Sequence, residues 1–155
     1  MNTELRSMIV NAEGRFLSDQ EVDALREYAT GMGQRLSAAR RMQAAEERIY
    51  LRTLERLGDV RRLHGGRAEG IEELRHMLRR VALAHVRADL THFMEAHAEW
   101  VAEQLCQLIE PAVLVSSFEV LREAMAEVLD EPDTYAFEPY LHAFIEELRK
   151  WNPTH

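Results

Sequence analysis

Thiols are almost absent from this chain: Cys106 is the single cysteine in 155 residues. One thiol excludes an intramolecular disulfide framework and a multi-cysteine zinc site. Its spacing with Ala102, Leu105 and Ile109 puts it on an apolar helix face, so a buried, unreactive cysteine is expected. Long hydrophobic runs are absent too. No stretch approaches the ~20 apolar residues that span a bilayer, and Met1 to Val10 lacks the core of a signal peptide. A soluble, cytoplasmic protein with no membrane partner is therefore expected. Positive charge is in deficit, with 19 Lys and Arg against 27 Asp and Glu and a formal net charge of -8. A general nucleic-acid binder needs a basic face to displace phosphate counterions, so that class is disfavoured. Catalytic motifs are missing as well. There is no Gly-rich phosphate loop, no nucleophile elbow, and no HExxH or i,i+4 histidine pair. The few serines sit where helix caps are expected. The expectation is a protein that is not an enzyme and holds no metal site.

What is present is helical pattern. Hydrophobic residues make up 46% of the chain, enough for one domain with a real core, and nothing demands a strand. Asn2 or Thr3 can cap a first helix with Leu5, Met8 and Ile9 on one stripe, and Gly14 allows a turn. Ser18 and Glu21 have capping-box spacing. A helical pattern then runs from Asp19 to Leu57, with Gly31 and Gly33 predicting a bend or break. His64 to Gly70 reads as a loop, followed by a helix from about Ile71 to Arg87. Asp89 or Thr91 caps another helix to about Ile109. Pro111 opens a segment capped by Ser116 or Ser117, and Asp130 to Asp133 reads as a turn. The last helix runs from about Ala136 to Trp151, with an aromatic face of Phe137, Tyr140, Phe144 and Trp151. Six to eight helices in one domain predict an all-α, globin-like bundle.

One stretch is more specific than any periodicity. Gly70-Ile-Glu-Glu-Leu-Arg-His-Met-Leu-Arg79, continuing to Asp89, resembles the chromophore helix of phycobiliproteins, whose pattern is Cys-x-Arg-Asp-x-x-Tyr-Tyr-Leu-Arg before a Gly-Asp. Leu74, Leu78, Arg79, Val86 and Asp89 keep the scaffold positions. Two further ordered blocks extend the resemblance, closest to the allophycocyanin type. Ile9 to Ser18 with Glu21 is similar to the family's N-terminal block, and Thr91, Glu95, Val101, Glu103, Leu108 and Pro111 fall at family spacing. The resemblance implies a phycocyanin-like fold over 1–155, with an N-terminal dimerisation hairpin at 1–31 and a globin-like body at 32–155.

It also implies a pigment site, and there the chain departs from the pattern. Gly70 stands where the family's bilin-attaching cysteine should be, so no thioether can form. Glu72 replaces an arginine expected to hold bilin propionates. Glu73 keeps an acid where the family's aspartate meets the pyrrole nitrogens. On this resemblance a biliverdin-like bilin held non-covalently would rest on Glu73, Arg75, His76, Arg79 and the loop residue Arg67, with guanidiniums on the propionates. The competing reading makes Glu72, Glu73, Arg75 and Arg79 a helix face of i,i+3 and i,i+4 pairs, on a pigment-free scaffold that acts through protein partners. A third reading uses one of His76, His85, His92 and His97, from seven histidines in all, as an axial ligand for haem. The five-residue spacing of His92 and His97 puts them on different sides of a regular helix. Arg61, Arg62 and Arg67 with Arg75, Arg79 and Arg80 leave a local anion site open. Glu46-Glu47 and Glu146-Glu147 read as solvated surface.

The family hairpin joins two subunits, and an aspartate on it pairs with the partner's equivalent of Arg79. Here Asn11 stands at the aspartate and Phe16 at an expected tyrosine, so an Asn–Arg hydrogen bond would replace the ion pair. Leu5, Met8, Ile9, Asn11 and Phe16, with Arg79, form the expected interface of a homodimer or of a heterodimer with a related chain.

Overall fold

Seven α-helices and one π-helical turn account for nearly all of the computed structural model, which describes residues 2–58 and 68–151 (side chains from 72 in the second stretch). There is no strand among the described residues. Asn2 caps α1 (Thr3–Asn11), its Oδ1 accepting from the Leu5 amide at 2.8 Å. Gly14 turns the chain at φ +88, a conformation that glycine adopts without strain. Ser18 then starts α2 (Asp19–Arg56) with a complete capping box: the Glu21 amide donates to Ser18 Oγ, and the Ser18 amide donates to Glu21 Oε2 at 2.7 Å.

Arg15 adds two bonds to Glu21, at 2.7 and 2.9 Å. Its guanidinium, then the Ser18 amide, holds the Glu21 carboxyl at about 2, below the usual carboxylate range. A carboxyl with a depressed folded value stabilises the fold above its unfolded value and loses that contribution as pH falls. The turn between α1 and α2 is expected to hold at neutral pH and to loosen progressively from about pH 4.5 down to about 2. Carboxylate chemical shifts recorded across that range check it, because Glu21 should titrate last among the acids of the turn.

α2 does not break at its glycines. It runs as one 38-residue helix, about 57 Å long, across residues 31 and 32. The reason is visible at Gly31, where an added Cβ would lie 2.5 Å from Arg35 Nη1. The missing side chain leaves room for the Arg35 guanidinium, which stacks on Tyr28 and donates to the Tyr28 and Val86 carbonyls.

α3 (Ala68–Arg87) begins before the expected position, so Ala68 to Gly70 are helical rather than part of a loop. His64 to Arg67 lie outside the described residues. The helix ends at Ala88, whose φ of +51 is left-handed. This is the position where the family pattern carries glycine, and an alanine there is strained by roughly 1 kcal/mol. Ala88→Gly is expected to raise stability by about that amount, measured as a shift in urea midpoint without a change of slope.

Asp89 caps α4 (Leu90–Phe93), which continues through a π turn (Met94–Ala98) into α5 (Glu99–Leu108). α6 (Pro111–Val128) starts at its proline, so Ser116 and Ser117 are inside the helix and not caps. Their hydroxyls donate back to the Ala112 and Val113 carbonyls. α7 (Glu131–Lys150) likewise absorbs the expected turn: Asp130 caps the Asp133 amide at 2.9 Å, and Pro132 takes an early position where its missing N–H costs nothing.

The core lies where α2, α3, α6 and α7 meet, closed on one side by α5. Met42 and Ile49 of α2 join Leu74, Met77 and Leu78 of α3, while Phe118 and Phe144 meet edge to face at 4.8 Å between α6 and α7. Phe137, Tyr140 and Phe144 are buried as the aromatic stripe requires, whereas Trp151 is the helix C-cap and partly exposed. Arg41 reaches from α2 to the buried Asp133 with two bonds of 2.6 and 2.8 Å, tying the start of α7 to the long helix.

Candidate functional site

α3 presents two polar faces, and they point to different neighbours. Its core stripe is Leu74, Met77, Leu78 and Val81. To one side, Arg75 and Arg79 reach over to α2. Arg75 lies 4.1 Å above the Tyr50 ring and pairs with Glu47 at 3.0 Å. Arg79 grips Glu46 through Nε and Nη2, at 2.7 to 3.2 Å. Glu46 is thereby largely covered, so the adjacent carboxylates Glu46 and Glu47 hold α2 to α3 and are not merely solvated. Glu147 is also buried, with Lys150 as its partner.

On the other side, Glu73 pairs with Arg80 and with His76, the latter at 3.5 Å. Glu72 stands apart from both pairs and accepts from the Tyr50 hydroxyl at 3.4 Å. The residues expected to hold a bilin therefore do not converge. Glu73 and His76 share a face, Arg75 and Arg79 are bound to α2 on another, and Arg67 lies outside the described residues. The Glu73 carboxylate is paired with the Arg80 guanidinium.

Among the described residues, one cavity next to this face measures ≈ 190 Å³, bounded by Arg80, Leu83, Arg87, Asp89, His92 and His97 among others. Pockets for drug-sized ligands start at about 300 Å³, so this cavity by itself takes only a smaller group. Gly70 offers no thiol for attachment. Cys106 packs half-buried against the core with its thiol pushed up by burial, as expected for an inert residue.

The histidines hold one arrangement that the spacing did not suggest. The π turn adds a residue to one helical turn, so positions five apart fall on the same side. His92 and His97 consequently meet edge to face with centroids 5.8 Å apart, correcting their assignment to different sides of the helix. His85 lies elsewhere, half-buried against Phe137 and Tyr140 and held below its ordinary value by that burial and by Arg35.

A second surface involves the N-terminal hairpin. Leu5 is only 5% exposed within the chain itself, so it is a core contact and not a free interface residue. α1 is fastened by Thr3, whose amide and hydroxyl both donate to Asp89 Oδ2, at 2.6 and 2.7 Å. The other apolar hairpin residues are left uncovered: Ile9 and Val10 are exposed, and Phe16 is 97% exposed. Asn11 is exposed as well, while Met8 is half-covered. On the body, Leu36, Ala39 and Met42 of α2 and Leu78, Leu83 and Val86 of α3 line an apolar groove of ≈ 440 Å³, rimmed by Arg40, Glu46 and Arg79.

The all-α architecture is that of a globin-like, phycobiliprotein type of fold. Residues 8–148 match the phycobilisome protein family, and the chain belongs to that family. No curated protein matches the chain. The family is one of pigment-binding proteins that associate with related chains rather than of enzymes. No helix among the described residues is long and apolar enough to cross a membrane.

Proposed function

We propose that this protein is a pigment-free phycobilisome-family subunit that works as a dimer and through the protein surfaces a dimer presents. The uncovered hairpin carries this reading: a phenylalanine that is 97% exposed, with Ile9 and Val10 beside it, needs a partner to remove its surface from water. The groove between α2 and α3 supplies a matching surface, apolar along its floor and with Leu83 exposed at its edge. In a two-fold pair each hairpin lies in the other copy's groove, a self-complementary arrangement that closes without leaving a free end. Arg79 stands at the rim of that groove, where Asn11 of the second copy can accept from an N–H that Glu46 does not use.

Loss of pigment fits the same chemistry. With glycine at the attachment position and Glu73, Arg75 and Arg79 each committed to partners within the chain, the old pocket has become part of the scaffold's own ion-pair network. Adding biliverdin and, separately, haemin to the purified protein tests this directly. The expected spectra are those of the free pigments, with no saturable change. A narrowed, red-shifted bilin band or a sharp Soret band, either one saturating, would overturn the pigment-free reading.

A further inference from the structure

The cavity beside α3 is small, but its lining is unusual for a chain that carries a net charge of -8. Two guanidiniums, Arg80 and Arg87, and two imidazoles, His92 and His97, border one space of ≈ 190 Å³. Three features mark this as more than a chance grouping. Arg87 makes no ion pair among the described residues, although acids outnumber bases in the chain by 27 to 19. The π turn brings His97 round to His92 across five residues, an arrangement that a regular helix would not give. Of the acids beside the cavity, Glu73 pairs with Arg80 itself, and the lining Asp89 is occupied by bonds from Thr3 and from the His92 amide.

We infer that Arg80, Arg87, His92 and His97 form a binding site for a phosphate group, either free phosphate or the end of a small phosphomonoester. The charge pattern favours an anion over a metal ion. His97 is held below its ordinary value by partial burial and by the positive charge of His92, Arg80 and Arg87, so a cation at the imidazoles would meet the same repulsion. It also favours phosphate over a carboxylate. Two guanidiniums are better matched by the charge of about -1.5 to -2 and the three acceptor oxygens of a phosphate monoester than by the single charge of a carboxylate. The volume takes such a group and little more. Arg80, partly covered and steadied by Glu73, forms the fixed wall, and exposed Arg87 closes the open side. The site is separate from the proposed dimer groove, with Leu83 the one residue common to both linings.

Calorimetric titration of the full chain with inorganic phosphate, and with glycerol phosphate as the monoester, tests the proposal at low ionic strength. Saturable binding is expected. Arg87→Gln, at an exposed position without an ion pair, and His97→Gln, also exposed, should fold normally. Each is expected to weaken binding roughly tenfold, the worth of one charge-assisted hydrogen bond. Tighter binding of glycerol phosphate assigns the site to a phosphomonoester, and tighter binding of inorganic phosphate assigns it to the free ion. No saturable heat with either probe would overturn the inference. So would affinity unchanged in both Arg87→Gln and His97→Gln, or saturable binding of zinc ion with none of phosphate.

Discussion

Replacing Asp89 by alanine is expected to destabilise the protein by about 3 kcal/mol, read as a lower urea midpoint. Its carboxylate performs two tasks at once. One oxygen accepts the amide and hydroxyl of Thr3, and the other accepts the His92 amide at 2.9 Å to cap α4. Burial opposes ionisation of this group, but the bonds from His92 and Thr3 more than offset it, and the carboxyl sits below its usual range. Losing the cap alone costs about 1 kcal/mol, and leaving the Thr3 donors without their anion adds a charge-assisted contribution of about 2 kcal/mol. Asp89→Asn keeps one acceptor oxygen and should recover part of the loss. Because the same residue fastens α1, faster amide exchange in residues 3–11 should accompany the lower midpoint. Equal midpoints for the alanine variant and the unaltered chain would mean that the tether contributes nothing.

The second large effect is on association. Ile9→Asp combined with Phe16→Asp should leave the fold intact, because both side chains are exposed, and should yield monomers. Removing the burial of these two side chains costs about 3 kcal/mol of association free energy, roughly a hundredfold in dissociation constant. Leu83→Asp, on the edge of the groove, should do the same from the other side. An equal mixture of the two monomeric variants is then expected to regain dimers, since one supplies an intact groove and the other an intact hairpin. Failure of the mixture to associate, with each variant folded, would separate the hairpin from the groove and break the proposed pairing. Leu5 is unsuited to such a test, because a charge there would disturb the packing of α1 on its own chain.

Local chemistry explains which features could be read in the sequence. Ser18 and Glu21 lie three residues apart, so their capping box depends on nothing distant, and it forms as expected. The same holds for Gly14 and for the Asp89 cap. Long-range features were less legible. Gly31 and Gly33 carry the signature of a bend, but a glycine also makes room, and Arg35 uses that room without interrupting the helix. Pro132 reads as a turn until Asp130 is seen to cap the helix that contains it. The five-residue spacing of His92 and His97 argued against a shared face, and the π turn between α4 and α5 reverses that. At the candidate site, the pairing of Arg79 with Glu46, 33 residues away, could not be anticipated from residues four apart. Glu73 with His76 is a spacing that sequence does suggest, but Arg75 and Arg79 pair across to α2 rather than within the face.

Sedimentation velocity of the unaltered protein, with biliverdin present and absorbance followed in both the protein and pigment bands, is the most direct single measurement. The account predicts a boundary at the dimer that carries no pigment. A monomeric boundary at all micromolar concentrations would contradict the hairpin interface, and pigment moving with the protein in fixed ratio would contradict the pigment-free scaffold.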